Sequence, residues 1–250
     1  MTILNGEWRF HPRFSIGGRY GSSSFRETTA IDTDWFIGIP SVIWWQSNST
    51  SKAKMDFFDM NIYYRLLDLD KSQMSEKFSS FLLLDRFSLD IFGGYQQQTG
   101  RYGDTNLVDV IQWWTPVNSP IAGLDSFYKI RYKGPRLGVR FKGWANDKFS
   151  SKLSFSYALI KTEAYGWWNL RDLTFWHNGD DGFAYNIDAE VTYHLTPNWF
   201  IGIGYHYMKY RQKELTETRI LPGYSHYDLD VVRDANNKVY GPSFRVGYMW

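Results

Sequence analysis

Asp32-Thr33-Asp34-Trp35 places two carboxylates two residues apart. On one side of a cleft such a pair can share a proton and attract basic peptides. It also reads as two acidic loop residues with no shared task. Glu163 is a candidate lone general base or a rim salt-bridge partner. Among the histidines, His177, in Phe175-Trp176-His177-Asn178-Gly179-Asp180-Asp181, reads as a solvent-exposed loop residue. His206 faces a strand side shared with Gly202 and Gly204, which suits a hydrogen-bonding role. His226, in Ser225-His226-Tyr227-Asp228, is a weaker loop candidate. Asp180-Asp181 and Asp228 with Asp230 lack the spacing of a calcium loop, and no metal site is assigned. Neither Gly17-Gly18 nor Gly93-Gly94 opens a helix, so no phosphate cradle is implied.

The elements that must position these residues are strands. The chain has 250 residues, no Cys, 43% hydrophobic residues and a mean hydropathy of -0.44, so no apolar run makes a transmembrane helix. It nevertheless carries 12 Trp, 18 Tyr and 18 Phe, an aromatic load that lipid-facing strands and interfacial girdles require. Absence of Cys excludes a disulfide framework and a Cys-based metal site. A formal charge of +2, with Lys and Arg spread along the chain, gives no nucleic-acid signature. No linker divides the chain, so residues 1–250 are read as a single domain. MTILNGEW lacks the basic start and apolar core of a secretory signal, so an exported precursor is expected to be longer.

Period-2 alternation is clearest where Phe183, Tyr185, Ile187, Ala189, Val191, Tyr193 and Leu195 alternate with Asn186, Asp188, Glu190, Thr192 and His194. After Thr196-Pro197-Asn198 the pattern resumes, as in an up-down hairpin. Trp8 through Gly17 echoes Tyr193 through Gly202, which predicts a second tight turn at Pro12. Strands are predicted over about 1–10, 13–25, 53–68, 84–102, 125–145, 149–166, 182–195, 198–214 and 238–250. The faces opposite the apolar ones carry Arg13, Arg19, Asp59, Arg65, Arg86, Asp90, Lys129, Arg131, Arg140, Lys142, Asp188 and Glu190, charges that a barrel lumen can pair. Between Tyr132 and Leu137 the apolar parity flips at Gly134-Pro135, and a β-bulge there would restore register.

The fold class is therefore all-β: an antiparallel up-and-down transmembrane β-barrel with nine visible strands, and ten expected because bacterial barrels use even numbers. Long connections over about 26–52, 103–124, 167–181 and 215–237 are expected on the extracellular side of a bacterial outer membrane, with short turns opposite and one unusually long connection, 69–83, on the short side. Strands of about 16 residues rise roughly 40 Å, beyond an apolar band of about 25 Å, so the barrel should project above the bilayer. The last strand ends on Trp250, resembling the terminal signature of barrels handled by the outer-membrane assembly machinery. Trp44-Trp45, Trp113-Trp114 and Trp167-Trp168 pack loops together or mark the surface for a protein partner.

With these elements in place, the chain resembles the omptin family of outer-membrane proteases. The resemblance runs through Pro12-Arg13-Phe14-Ser15-Ile16-Gly17, Asp32-Thr33-Asp34-Trp35, Gly94-Tyr95-Gln96, Tyr128-Lys129 with Gly138, and Tyr193 to Pro197. It implies a ten-stranded barrel entered here within its second strand. It also implies cleavage near basic residues by water held between an Asp pair and an Asp-His pair, with lipopolysaccharide as an activating lipid. Asp32 and Asp34 match the first pair. The second fails: Lys161-Thr162-Glu163-Ala164-Tyr165-Gly166-Trp167-Trp168 has no His, and His177 would have to swing in from later in the same loop. Two functions follow. One is a divergent or non-catalytic relative serving as a surface-binding or structural component of the envelope, contacting outer-membrane lipid such as lipopolysaccharide. The other is an omptin-like endopeptidase with Asp32 and Asp34 as half its site. A specific channel is disfavoured by the charged, filled lumen.

Overall fold

The computed structural model describes residues 2–35, 43–74, 84–112, 115–145, 147–220 and 227–248. Its strands are β1 (Thr2–His11), β2 (Phe14–Trp35), β3 (Ile43–Asp70), β4 (Arg86–Gln112), β5 (Thr115–Ile121), β6 (Ser126–Trp144), β7 (Phe149–Trp168), β8 (Leu173–His194), β9 (Trp199–Ile220) and β10 (Tyr227–Tyr248). One antiparallel sheet runs β1-β2-β3-β4-β6-β7-β8-β9-β10, with the short β5 paired to β4. The sheet curls: Arg245 of β10 donates from Nη2 to Asn5 Oδ1 of β1 at 2.7 Å, although no backbone ladder joins these edge strands among the described residues.

The expected turns at Pro12 and Thr196-Pro197-Asn198 are present between β1 and β2 and between β8 and β9. The expected long loops are largely strand. β7 and β8 are separated only by the 3-10 turn Asn169–Arg171 and Asp172, and β9 and β10 extend to Ile220 and from Tyr227. Hence His177 stands within β8 and is buried, which corrects its reading as an exposed loop residue. A 22-residue strand rises roughly 55 Å at the usual tilt, about twice the height of an apolar band.

No bulge occurs at Gly134-Pro135. The β4–β6 register runs unbroken from Arg86↔Trp144 to Asp104↔Ser126, so even residues of β6 point inward along its length. Lys129 and Arg131 therefore lie on the outer wall, not in the lumen, and Arg13 is exposed beside the first turn. The surroundings change, and the parity does not. Toward the short turns the outer face carries Leu137, Val139 and Phe141 while Arg136, Arg140 and Lys142 point in. Toward the hairpins the outer face carries Lys133, Arg131 and Lys129 while Tyr132 and Ile130 point in.

β7 repeats the inversion. Leu153, Phe155, Tyr157 and Leu159 face out below Lys161 and Glu163, and Ser154 and Ser156 face in below Ala158 and Ile160. The lower half is a membrane wall with a polar interior. The upper half is an ordinary water-exposed sheet folded around an apolar core of Ile130, Tyr132, Ala158, Ile160, Ala164, Ala184, Met208 and Tyr210.

Candidate functional site at the hairpin end

Below that core, side chains close the lumen. Arg19 meets Asp59 at 2.7 Å and Asp188 at 2.9 Å, and Arg136 meets Asp59 at 3.2 Å. One layer nearer the short turns, Asp90 holds Arg65 at 2.8 Å and Arg140 at 2.7 Å, and Arg140 continues to Glu7 at 2.8 Å. His206 Nδ1 is paired to Asp188, as its inward position on β9 requires. Fixed charges of both signs, paired along neighbouring strands at Arg19–Asp59, Arg65–Asp90 and Asp90–Arg140 and across the curl at Arg19–Asp188, Arg136–Asp59 and Arg140–Glu7, fill the section that a pore would need open.

Above the core, β6, β8 and β9 bring together Tyr128, His177 and Glu217. A shift of register between Ile160 and Thr162 turns the outer half of β8 so that odd residues face in, which brings His177 to the inner wall. His177 stands between Ala164 of β7 and Glu217 of β9 in the ladders. Its Nε2 lies 2.6 Å from Glu217 Oε2, and its Nδ1 lies 3.0 Å from the Tyr128 hydroxyl. Phe175 stacks on Tyr128 with centroids 5.8 Å apart. Its ring lies where a side chain at Gly166 would stand, 2.3 Å from the position of a Cβ, so the close approach requires glycine.

These groups sit on the part of the wall beyond the apolar belt. Burial pushes the Glu217 carboxyl up, but hydrogen bonds from His177 and Arg219 outweigh it and leave its pKa below the ordinary carboxylate value. Burial, aided by the Glu217 charge, pushes the Tyr128 hydroxyl well above the ordinary phenol value. The carboxylate can only accept, so Nε2 carries the hydrogen that points to it, and Nδ1 faces the Tyr128 hydroxyl. Both ring nitrogens are thus occupied by protein groups.

Asp32 and Asp34 lie on β2, opposite Ser47 and Trp45 of β3; their side chains fall outside the described residues. β2 stands five places from β8 along the sheet, on the facing wall of the curl. Glu163, weighed as a base, is on the outer face, 2.7 Å from Lys133 and 3.8 Å from Arg131. His226 lies outside the described residues. Glu217 is the member that sequence reading misses. Its signal was the alternation Leu215-Thr216-Glu217-Thr218-Arg219, a strand pattern in a stretch read as loop.

The outer wall beside this end has its own order. Lys133 of β6 pairs directly with Lys161 of β7, Lys209 of β9 with Lys238 of β10, and Arg101 of β4 stands between Lys54 of β3 and Lys129 of β6. Lys133, Lys161 and Asp180 rim an open depression of about 320 Å³ whose lower side is lined by Tyr95, Pro135 and Leu159.

A family model described as Pom, Protochlamydia outer membrane protein, matches residues 67–248. The chain belongs to the Pom family. This Pom-family chain is thus an outer-membrane β-barrel protein. Among solved structures it is similar to the outer membrane protease OmpT of Escherichia coli, with a TM-score of 0.79 and 15% identity over 99% of this chain and 83% of that one. That likeness gives the Pom-family chain the omptin type of barrel. No curated protein matches it.

Proposed function

We propose that this Pom-family barrel acts through its wall: it is a surface-binding structural component of the envelope that grips phosphorylated glycolipid of the lipopolysaccharide type, with the hairpin end extracellular. The observation that carries this reading is the directly opposed cation pairs on the water side of the apolar belt. Like charges facing each other across two strands destabilise a sheet. Glu163 at 2.7 Å from Lys133 and Asp180 at 3.3 Å from Lys161 offset part of that cost, and a phosphate between the cations removes the remainder and gains charge-assisted hydrogen bonds. Arg131 stands beside Lys133 and Lys161, three cations against the two carboxylates Glu163 and Asp180, so the cluster keeps a positive excess. The apolar side of the open depression, at Tyr95, Pro135 and Leu159 below the two lysines, offers the start of an acyl chain a seat beneath the headgroup.

Titrating detergent-solubilised protein with lipopolysaccharide and with its dephosphorylated form tests the reading. The phosphorylated lipid should bind more tightly, and Lys133→Ala with Lys161→Ala should weaken it at least tenfold, about 1.4 kcal/mol. Equal binding of the two lipids would refute it.

A second reading, an omptin-like endopeptidase, is supported by one observation: His177 and Glu217 form an imidazole–carboxylate pair on the wall facing the strand that bears Asp32 and Asp34. The occupied imidazole favours the first reading, since a general base needs a ring nitrogen within reach of water. Cleavage of a dibasic fluorogenic peptide by the lipopolysaccharide-supplemented barrel, lost in Asp32→Ala, Asp34→Ala and His177→Ala, would establish peptidase activity instead.

A further inference from the structure

Beyond the cation rows, the same outer face of β6, β7 and β8 carries a cluster of rings. Phe127 lies 5.4 Å from Tyr165 and 6.3 Å from Trp167, and Tyr165 lies 5.5 Å from Trp176, as ring centroids. Register places them together: Phe127 is opposite Trp167, and Tyr165 is opposite Trp176. They point away from the lumen, because the alternate positions Tyr128, Gly166, Phe175 and His177 form the inner site. Phe127 is 41% exposed, and Tyr165, Trp167 and Trp176 are half-buried.

Aromatic residues on the outer wall of a barrel ordinarily mark the lipid interface. These do not, because Lys133, Arg131 and Lys129 separate them from the apolar belt. Phe127 is six residues beyond Lys133 along β6, about 20 Å of strand. Polar groups are interleaved with the rings: Lys129 is opposite Tyr165, Thr174 is opposite Trp167, and Asn178 is two residues from Trp176 on the same face.

We infer that this aromatic platform binds the oligosaccharide of the glycolipid whose phosphates the Lys133 and Lys161 row holds. Up the β6–β7 wall run an apolar seat, a cation row, and a set of rings flanked by hydrogen-bonding side chains. That is the order of acyl chain, phosphate and sugar in such a lipid standing in the outer leaflet. Sugar rings present apolar faces that stack on aromatic rings while their hydroxyls need polar partners, and the interleaving supplies both. The inference rests on the lipid reading above. Its occupant is one continuous with the membrane wall, rather than a free partner.

The test compares lipopolysaccharide carrying its full core oligosaccharide with a deep-truncated, equally phosphorylated form, on the whole solubilised barrel. The full-core lipid should bind about tenfold more tightly, a gain of roughly 1.4 kcal/mol. Phe127→Ala with Trp176→Ala should abolish that difference and leave the truncated lipid's affinity unchanged, which also shows that the variant is folded. Trp176→Tyr, which keeps a ring, should retain most of the gain. Equal affinity of the two lipids for the unmodified barrel overturns the sugar platform and leaves phosphate binding standing. Failure of both lipids to bind overturns the lipid reading and this inference with it. A stable dimer in detergent that the alanine pair dissociates would assign the platform to a second copy and overturn it as well.

Discussion

Glu217 determines how His177 is held, and its own charge depends on being buried against two donors. Replacing it by Gln keeps the shape but removes the charged acceptor, a loss of roughly 1.5–3 kcal/mol for a hydrogen bond to a charged group. The loss should be local: amide hydrogen exchange should speed up in the outer halves of β8 and β9 and remain unchanged near the Thr196-Pro197-Asn198 turn. Acid should act in the same place. The folded-state pKa of Glu217 is lowered from 4.5, so its contribution is complete above that value and is lost as pH falls through the lower folded value. Protection of these amides should therefore hold at pH 5 and fail under stronger acid, at a higher pH in Arg219→Ala than in the unmodified chain. At this scale the sequence was only half legible. His177 was visible as a candidate, but its burial depends on the register shift beside Ile160 and Thr162, and its carboxylate partner comes from another strand, a pairing that no local pattern announces.

At the scale of the strand, alternation was the readable signal and its interpretation failed at one point. β6 and β7 keep a single inward parity throughout, but the chemistry assigned to each face exchanges where the wall leaves the bilayer. A reading that equates apolar with one fixed face must then infer a bulge, as at Gly134-Pro135, and must put Lys129 and Arg131 in the lumen. Membrane strands and water-exposed strands obey opposite rules for the outer face, and one strand of this chain obeys both in turn. The consequence is a position-dependent tolerance of charge. Phe155 lies within the apolar stretch of β7's outer face, between Leu153 and Tyr157, so Phe155→Arg should cost about 2–4 kcal/mol in urea unfolding from lipid vesicles. Arg131→Leu, on the same wall beyond the inversion, should change unfolding by less than about 0.5 kcal/mol. Equal costs at the two positions would mean that the belt does not end where the faces exchange.

For the molecule as a whole, the sequence disclosed the barrel class through its aromatic load, its alternating strands and its inward charges, because each of these follows from two solvents acting on one wall. It did not disclose how the charges are partnered, since the partners lie mostly on other strands and some lie across the lumen: Glu7 and Arg140 meet although 133 residues separate them. That cross-lumen contact ties the curl together below the apolar core and continues into a row along neighbouring strands, in which Asp90, 1% exposed, holds Arg65 on one side and Arg140 on the other. Asp90→Ala leaves two buried guanidinium groups short of their shared acceptor. Breaking a buried pair in this way should cost roughly 3–5 kcal/mol, read as a lower urea midpoint for the refolded barrel. Replacing Arg65 and Asp90 together by Met and Leu should recover the share of that loss due to Arg65, because apolar groups of similar volume need no partners, while Arg140 keeps Glu7 as its remaining acceptor. Conductance separates two roles for the network. If the ion pairs are the plug, planar bilayers containing the unmodified barrel show no resolved current steps and Asp90→Ala introduces them. If the apolar core above is itself a sufficient seal, both proteins are silent and only stability changes. The double layer, charged below and apolar above, favours the second outcome: with Tyr132 and Tyr210 stacked across the upper lumen at 5.0 Å, loss of one carboxylate below them should weaken the barrel without opening it.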